Sequence, residues 1–184
     1  MKSAARVYYK EEQDVGSSPT IWVLYLGFLV SVGTIGFGLY QQVVQGKPWG
    51  DRPASTAHLE IVFAVVFVIM AAMIIFAHRM TLFTVIDETG VRFRITPKVM
   101  KEKHITKEQI SRYEIRKYRP AIEYGGWGFR MGGSGGVFRR KRWGVCYKVK
   151  GNIGLQLYLT NGRKILIGTQ NPTSIERAMK KLME

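Results

Sequence analysis

From Ile21 to Val44 the chain reads IWVLYLGFLVSVGTIGFGLYQQVV, and from Ile61 to Ala77 it reads IVFAVVFVIMAAMIIFA. Neither stretch holds an Asp, Glu, Lys or Arg. At about 1.5 Å of rise per residue, the first reaches across a hydrocarbon core roughly 30 Å thick. The second does so once Leu59, Glu60 and His78 at its rims are included, which brings it to the roughly 20 residues a span requires. Its apolar side chains cover every face, so it lacks the polar stripe of a helix resting on a water-soluble core. The two runs predict a transmembrane helical hairpin over residues 21–79, with spans at about 21–44 and 59–78.

A cleaved secretory signal is the competing reading of the first run. That run is longer than the apolar core of a signal, about 7–15 residues, and its exit, Gln45-Gly46-Lys47-Pro48-Trp49, has no small-residue cleavage pattern. Lys and Arg number 3 before the first span (Lys2, Arg6, Lys10), 2 in the connection (Lys47, Arg52) and 23 from Arg79 onward. Positive charge flanking the spans marks the cytoplasmic side, so both termini are expected in the cytoplasm. Trp22, Tyr25, Tyr40 and Trp49 suit interfacial depths near the ends of the first span. Residues 1–20 then read as a cytoplasmic N-terminal segment and residues 80–184 as a cytoplasmic domain of a size that folds by itself.

The chain carries 28 Lys and Arg against 13 Asp and Glu, a formal charge of +15. From Arg79 onward the balance is 23 against 8, so this part holds the whole excess. An anionic leaflet attracts such a domain by about 1 kcal/mol for each cation within a Debye length. Nucleic acid would be attracted by the same charge, but an integral anchor makes the membrane the nearer partner, and nucleic acid is not expected. The single Cys146 excludes an internal disulfide and a cysteine-based metal cluster, and it fits a reducing compartment.

Beyond the spans the pattern turns to strands. Thr81 to Asp87, the turn Glu88-Thr89-Gly90 and Val91 to Thr96 read as a hairpin with Val91, Phe93 and Ile95 on one face. Pro97 ends it, and Lys98, Lys101, Lys103 and His104 read as a basic connection. Thr106 to Gln109 suggests a short helical turn, and Ile110 to Tyr118 a further strand. Trp127 to Met131 and Arg142 to Lys148 are strand candidates separated by glycine-rich sequence. Ile153 to Thr160 places Leu155, Leu157 and Leu159 on one face, Asn161-Gly162 is a strong two-residue hairpin signal, and Arg163 to Gly168 returns with Ile165 and Ile167. Asn171 suits a helix N-cap and Pro172 the first helical position, and Ile175, Ala178, Met179 and Leu182 make one apolar stripe. These elements predict a mostly-β, α+β domain of about seven antiparallel strands capped by a C-terminal helix.

Two segments, Tyr124-Gly125-Gly126-Trp127-Gly128-Phe129-Arg130 and Leu157 to Gln170 with its Ile167-Gly168-Thr169-Gln170 ending, precede the Pro-started helix. Together with the paired spans, they make the chain similar to the bacterial membrane-anchored pleckstrin-homology-like domains over roughly Met80 to Glu184. The resemblance implies a PH-like, partly open seven-stranded barrel capped by a C-terminal helix, in the bacterial cytoplasmic (inner) membrane. It implies no established activity. Phosphoinositide-binding members of the wider class resemble a pattern of Lys, spacer, then Lys or Arg, any residue, Arg. Arg92-Phe93-Arg94 supplies only the second half, since Thr81 to Asp87 holds no Lys and Asp87 and Glu88 sit at the turn.

The densest charge is Arg139, Arg140, Lys141 and Arg142, after Gly132-Gly133-Ser134-Gly135-Gly136. These cations are the candidate contact for an anionic surface of lipid or protein, against the alternative of a solvated hairpin tip. The glycines make no phosphate loop, because no Gly-Lys-Ser or Gly-Lys-Thr follows. In the first span Gly27, Ser31, Thr34 and Gly38 fall on one helix face and form a candidate helix-packing stripe. His58, His78 and His104 are widely separated, no His-Glu-x-x-His occurs, and no ionisable residue lies inside the apolar runs to mark an ion path, Glu60 at the outer rim being the one candidate and reading better as a headgroup-level residue. No catalytic group, metal site or cofactor is expected. The sequence therefore favours a non-enzymatic, membrane-anchored interaction module that binds a protein segment or the anionic membrane surface. An accessory or structural subunit of a transporter or envelope complex, recruited through the helices, is the alternative.

Overall fold

The structure is a computed structural model that describes residues 6–19, 21–96, 100–124, 130–132 and 143–184. The chain divides into two compact units, one of residues 21–78 and the other built from both flanks, 1–20 together with 79–184.

The first unit is the apolar hairpin, α1 (Ile21–Val43) and α2 (Thr56–Arg79). Its side chains invert the pattern of a water-soluble fold. Trp22, Leu29, Ile61 and Val68 are 71, 69, 62 and 63% exposed, whereas Ile21 and Gly38 are the buried residues of α1. Both helices are long and apolar enough to cross a membrane. Inside the hairpin, Phe28 and Phe67 lie 5.5 Å apart between ring centroids, and the Tyr25 hydroxyl meets His78 Nε2 at 2.6 Å.

The second unit begins before the hairpin. Val7–Asp14, read from sequence as part of an N-terminal segment apart from the domain, forms strand β1. It pairs antiparallel with β2 (Thr81–Asp87), Glu11 opposite Thr84, so the hairpin is inserted between two hydrogen-bonded strands of one sheet. The Val15 amide donates to the Met80 carbonyl at 2.9 Å and closes the end of that pair. β3 (Gly90–Thr96) and β4 (Met100–Thr106) complete a four-stranded antiparallel sheet in the order β1-β2-β3-β4. The β2–β3 turn requires Gly90. Its φ is +148°, and a Cβ there would stand 2.1 Å from the Ile105 carbonyl oxygen.

The stretch expected as a basic connection is thus the edge strand β4. Only Ile105 of Lys101–Ile105 is buried, while Lys101, Glu102, Lys103 and His104 are exposed, a composition that discourages pairing with another chain. A 3₁₀ turn at Lys107–Gln109, closed by a capping box with Thr106, leads into β5 (Ile110–Lys117). After the short helix α3 (Pro120–Tyr124) come β6 (Arg130–Gly132), β7 (Val145–Lys148), β8 (Ile153–Leu159) and β9 (Lys164–Gly168). They form the second sheet in the order β5-β8-β9-β7-β6. The β8–β9 turn is the expected Asn161-Gly162, with Gly162 at φ +77° and the Arg163 amide donating to Asn161 Oδ1 at 3.1 Å.

The described strands number nine, in two sheets rather than one closed barrel, and β7 runs parallel to β9. The parallel pair arises because β7 precedes the β8–β9 hairpin yet docks on the far edge of β9, a long-range choice that leaves no local periodicity. Helix α4 (Pro172–Met183) buries Ile175, Ala178, Met179 and Leu182 against strands of both sheets, β1 and β2 from one and β5 and β8 from the other. Asn171 begins this helix through its carbonyl, which accepts from the Ile175 amide at 3.1 Å, and its side chain makes no capping bond.

Candidate functional site

The basic run Arg139, Arg140, Lys141 and Arg142 lies outside the described residues, as does Trp127. The small-residue stripe of α1 meets several surroundings. A Cβ on Gly27 would lie 3.6 Å from Met70 of α2, and one on Gly38 would lie 2.5 Å from the Trp49 indole of the connecting segment. Ser31 is half-buried, and Thr34 is exposed and donates to its own helix at Val30 O, 2.7 Å away. The histidines stay apart: His58 bonds Ser55 and His78 bonds Tyr25, while His104 meets Thr89 at 3.1 Å.

Two polar clusters that sequence reading did not single out are buried within the domain. The first surrounds Glu11 on the inward face of β1, where alternation turns Tyr9, Glu11 and Gln13 toward the core. Glu11 is 6% exposed. Its Oε2 accepts from the Tyr9 hydroxyl at 2.7 Å and the Thr169 hydroxyl at 2.8 Å, and its Oε1 accepts from the Gln170 amide at 2.7 Å. Gln13 Nε2 donates to the Gly168 carbonyl at 2.8 Å, and Thr169 Oγ1 accepts from the Asn171 amide at 3.0 Å. Burial and the neighbouring Glu11 push the Tyr9 phenol far above its ordinary range. The carboxylate is answered entirely by hydrogen bonds from the β9–α4 connection and from β1 itself, and it fastens the first strand to the start of the last helix.

The second cluster lies on the face of the β5–β8–β9 sheet turned away from α4. Leu155 and Leu157 face the core, so Gln156 between them faces the other way, as do Arg116 on β5 and Lys164 on β9. Helix α3 brings Glu123 back over β5, where Oε2 lies 2.7 Å from Arg116 Nη2 and Oε1 accepts from the Arg119 amide at 2.8 Å. Arg116 Nη2 and Nε also donate to Gln156 Oε1, at 3.1 and 3.3 Å, and the Tyr124 hydroxyl approaches the same oxygen at 3.4 Å. Below this network Tyr118, Tyr124, Cys146 and Leu166 form a small apolar cluster with Trp143 packed on it. Burial pushes both tyrosine phenols well above their ordinary range, and Cys146 and Glu123 add to that shift. Burial alone would lower the Arg116 pKa, but the bond and charge of Glu123 outweigh it, and the guanidinium stays charged.

This network is incomplete at one atom. Donors converge on Gln156 Oε1, which fixes the orientation of the amide, while Gln156 Nε2 is buried with no acceptor among the described residues. An unanswered buried donor costs about 1–3 kcal/mol. Gln156 lines a cavity of about 280 Å³ together with Glu114, Arg116, Trp143, Tyr158 and Lys164. Around it Arg112 stacks 4.2 Å from the Tyr158 ring centroid, and the Tyr158 hydroxyl donates to Glu114 at 3.2 Å.

A third feature is the outward face of the first sheet, where Lys10, Phe83, Val85, Arg92, Arg94 and Glu102 surround a cavity of about 290 Å³. The Arg94 guanidinium lies 4.9 Å from the Phe83 centroid, and Arg92 pairs with buried Asp87. Burial alone would raise the Asp87 carboxyl. The hydrogen bonds of Thr89 and the bond and charge of Arg92 outweigh that and hold it below its ordinary value. Among the described residues no group of three or more His, Cys, Asp or Glu converges to hold a metal. No known protein-family model and no curated protein matches the chain.

Proposed function

We propose that the chain is a non-enzymatic, membrane-anchored interaction module. Helices α1 and α2 cross the bacterial cytoplasmic membrane, and the β-rich domain binds a protein segment or the anionic lipid surface on the cytoplasmic side. The observation that carries this reading is the insertion of an outwardly apolar hairpin between β1 and β2. Large apolar side chains exposed along both helices find a low-energy surrounding in hydrocarbon. Two strands that share hydrogen bonds lie on one side of any bilayer the hairpin crosses twice, so both flanks share a compartment. The excess of Lys and Arg in those flanks makes that compartment the cytoplasm.

A PH-like fold is part of the reading. The four-stranded antiparallel meander, the second sheet and the C-terminal helix packed on both support it. The charge of +15 supports attraction to an anionic partner, with Arg92 and Arg94 beside Lys10 on one sheet face and Arg139, Arg140, Lys141 and Arg142 as the densest run.

Reporter fusions test the topology. A phosphatase inserted near Pro48 is expected to be active and one fused after Glu184 inactive. The reverse pattern contradicts the proposal. Crosslinking in the native membrane tests the partner, since capture of a stoichiometric integral protein through the helices would favour an accessory subunit instead.

A further inference from the structure

We propose that one end of the domain, carrying Lys117, Arg119 and Lys150 with the exposed Ile122, rests on the anionic headgroups of the bilayer that the hairpin crosses. This contact rests on the reading of α1 and α2 as membrane spans. Chain connectivity selects the end. α2 finishes at Arg79, and the next residue, Met80, is 4% exposed and leads straight into β2. On the other side Ser18 is 2% exposed and α1 begins at Ile21, three Cα steps or roughly 11 Å away at most. Both tethers leave the domain at one place, because the Val15 amide donates to the Met80 carbonyl at 2.9 Å.

The same end gathers cations. Lys150 Nζ lies 3.4 Å from Ser17 Oγ and Ser18 Oγ lies 3.5 Å from the Val149 carbonyl, so the β7–β8 connection sits against the residues that precede α1. The Tyr118 amide donates to the Asn152 carbonyl at 2.8 Å, which brings Lys117 and Arg119, its two neighbours, to that connection. Lys117 and Arg119 are exposed, and among the described residues neither they nor Lys150 pairs with a carboxylate. Glu123, close to Arg119, is already paired with Arg116 at 2.7 Å. Asp14 accepts from the Thr81 hydroxyl at 2.6 Å and is the carboxylate set against these three cations. An anionic leaflet attracts each cation that comes within a Debye length of it. Ile122 adds an apolar contact. It lies in α3, which begins two residues after Tyr118, and it is 59% exposed. Cations around an exposed apolar side chain suit the boundary between headgroups and hydrocarbon. Val7, 54% exposed, is an apolar counterpart at the far end of β1, about 23 Å away along the eight-residue strand.

The test places the photo-crosslinker p-benzoylphenylalanine at Ile122, and in separate proteins at Val7 and at Asn161 in the turn beyond the far end of β8. Each full-length chain is reconstituted into vesicles of equal parts phosphatidylcholine and phosphatidylglycerol, and lipid adducts are counted by mass spectrometry after illumination. Adducts at Ile122 are expected to exceed those at Val7 and Asn161 several-fold. Lys117→Gln, Arg119→Gln and Lys150→Gln together are expected to lower the Ile122 yield about threefold or more. A melting curve matching the parent is expected for that variant, since no ion pair is lost. Vesicles of phosphatidylcholine alone are expected to give the same fall with no substitution, and they carry the test if the variant does not fold. Flotation of the vesicles after an alkaline wash separates the two readings. Protein that is washed off overturns the spans, and this contact with them. Protein that floats but gives no more lipid adduct at Ile122 than at Val7 and Asn161 overturns the contact alone and leaves the cations to an acidic protein partner. A yield unchanged by loss of the cations, or by loss of the anionic lipid, overturns it as well.

Discussion

The Glu11 and Gln156 clusters are both buried, both polar and both on strands, yet the carboxylate at the centre of one is fully answered and the amide at the centre of the other is not. Around Glu11 every carboxylate oxygen has donors, from Tyr9, Thr169 and Gln170. Around Gln156 the oxygen has three donors in reach and the nitrogen no acceptor, beside a cavity. A buried polar group that is fully answered within the fold contributes to stability, and its removal leaves its partners stranded. One that keeps an unanswered atom costs stability.

The largest expected effect breaks the Glu11 cluster. Glu11→Ala strands Tyr9, Thr169 and the Gln170 amide, and urea unfolding is expected to show a loss of about 3–5 kcal/mol. A loss under ~1 kcal/mol would mean that the cluster holds nothing. Next is the charged part of the incomplete cluster. Arg116→Met leaves the Glu123 carboxylate buried without its cation, at a cost of about 3 kcal/mol, and adding Glu123→Leu is expected to recover most of it. Independent, additive losses would show that the two side chains do not act as a pair.

Smaller effects sharpen the same distinction. Gln156→Glu buries a second carboxylate within reach of the Arg116–Glu123 pair, and urea unfolding is expected to show a loss of about 1–3 kcal/mol. An unchanged unfolding free energy would mean that the pair absorbs the added charge. Asp87 supplies a pH signature. Its folded pKa is depressed, so its contribution is present above the ordinary carboxylate range, near ~3.9, and is lost as pH falls through the folded value. The difference in unfolding free energy between parent and Asp87→Asn is therefore expected to be constant near neutrality and to shrink below about pH 4. A difference that grows on acidification would contradict the assignment.

What the sequence made legible was whatever a single segment states alone. The two apolar runs, the Leu155 and Leu157 alternation returning through Asn161-Gly162 to Ile165 and Ile167, and the stripe of α4 all appear where local periodicity puts them. β1 stayed hidden because its inward residues, Tyr9, Glu11 and Gln13, are polar, and their burial makes sense only through Thr169 and Gln170, 158 or more positions away. β4 stayed hidden because Ile105 is its one buried residue among Lys101–Ile105. Gln156 could be placed opposite Leu155 and Leu157 by alternation. That Glu123 returns to Arg116 depends on α3, five residues whose pattern announces no partner.

The central claim is that the domain is assembled from both sides of the hairpin, and removing the hairpin tests it most directly. The Val15 amide and the Met80 carbonyl are hydrogen-bonded at 2.9 Å, so a short Gly-Ser turn can replace residues 21–78 and join β1 to β2. The joined chain is expected to be water-soluble and to melt cooperatively. Residues 80–184 alone, without β1 and with the Thr169–Gln170 anchor unmet, are expected to melt broadly or aggregate. If 80–184 alone melts as sharply and at the same temperature as the joined chain, β1 is not part of the domain and the account is wrong.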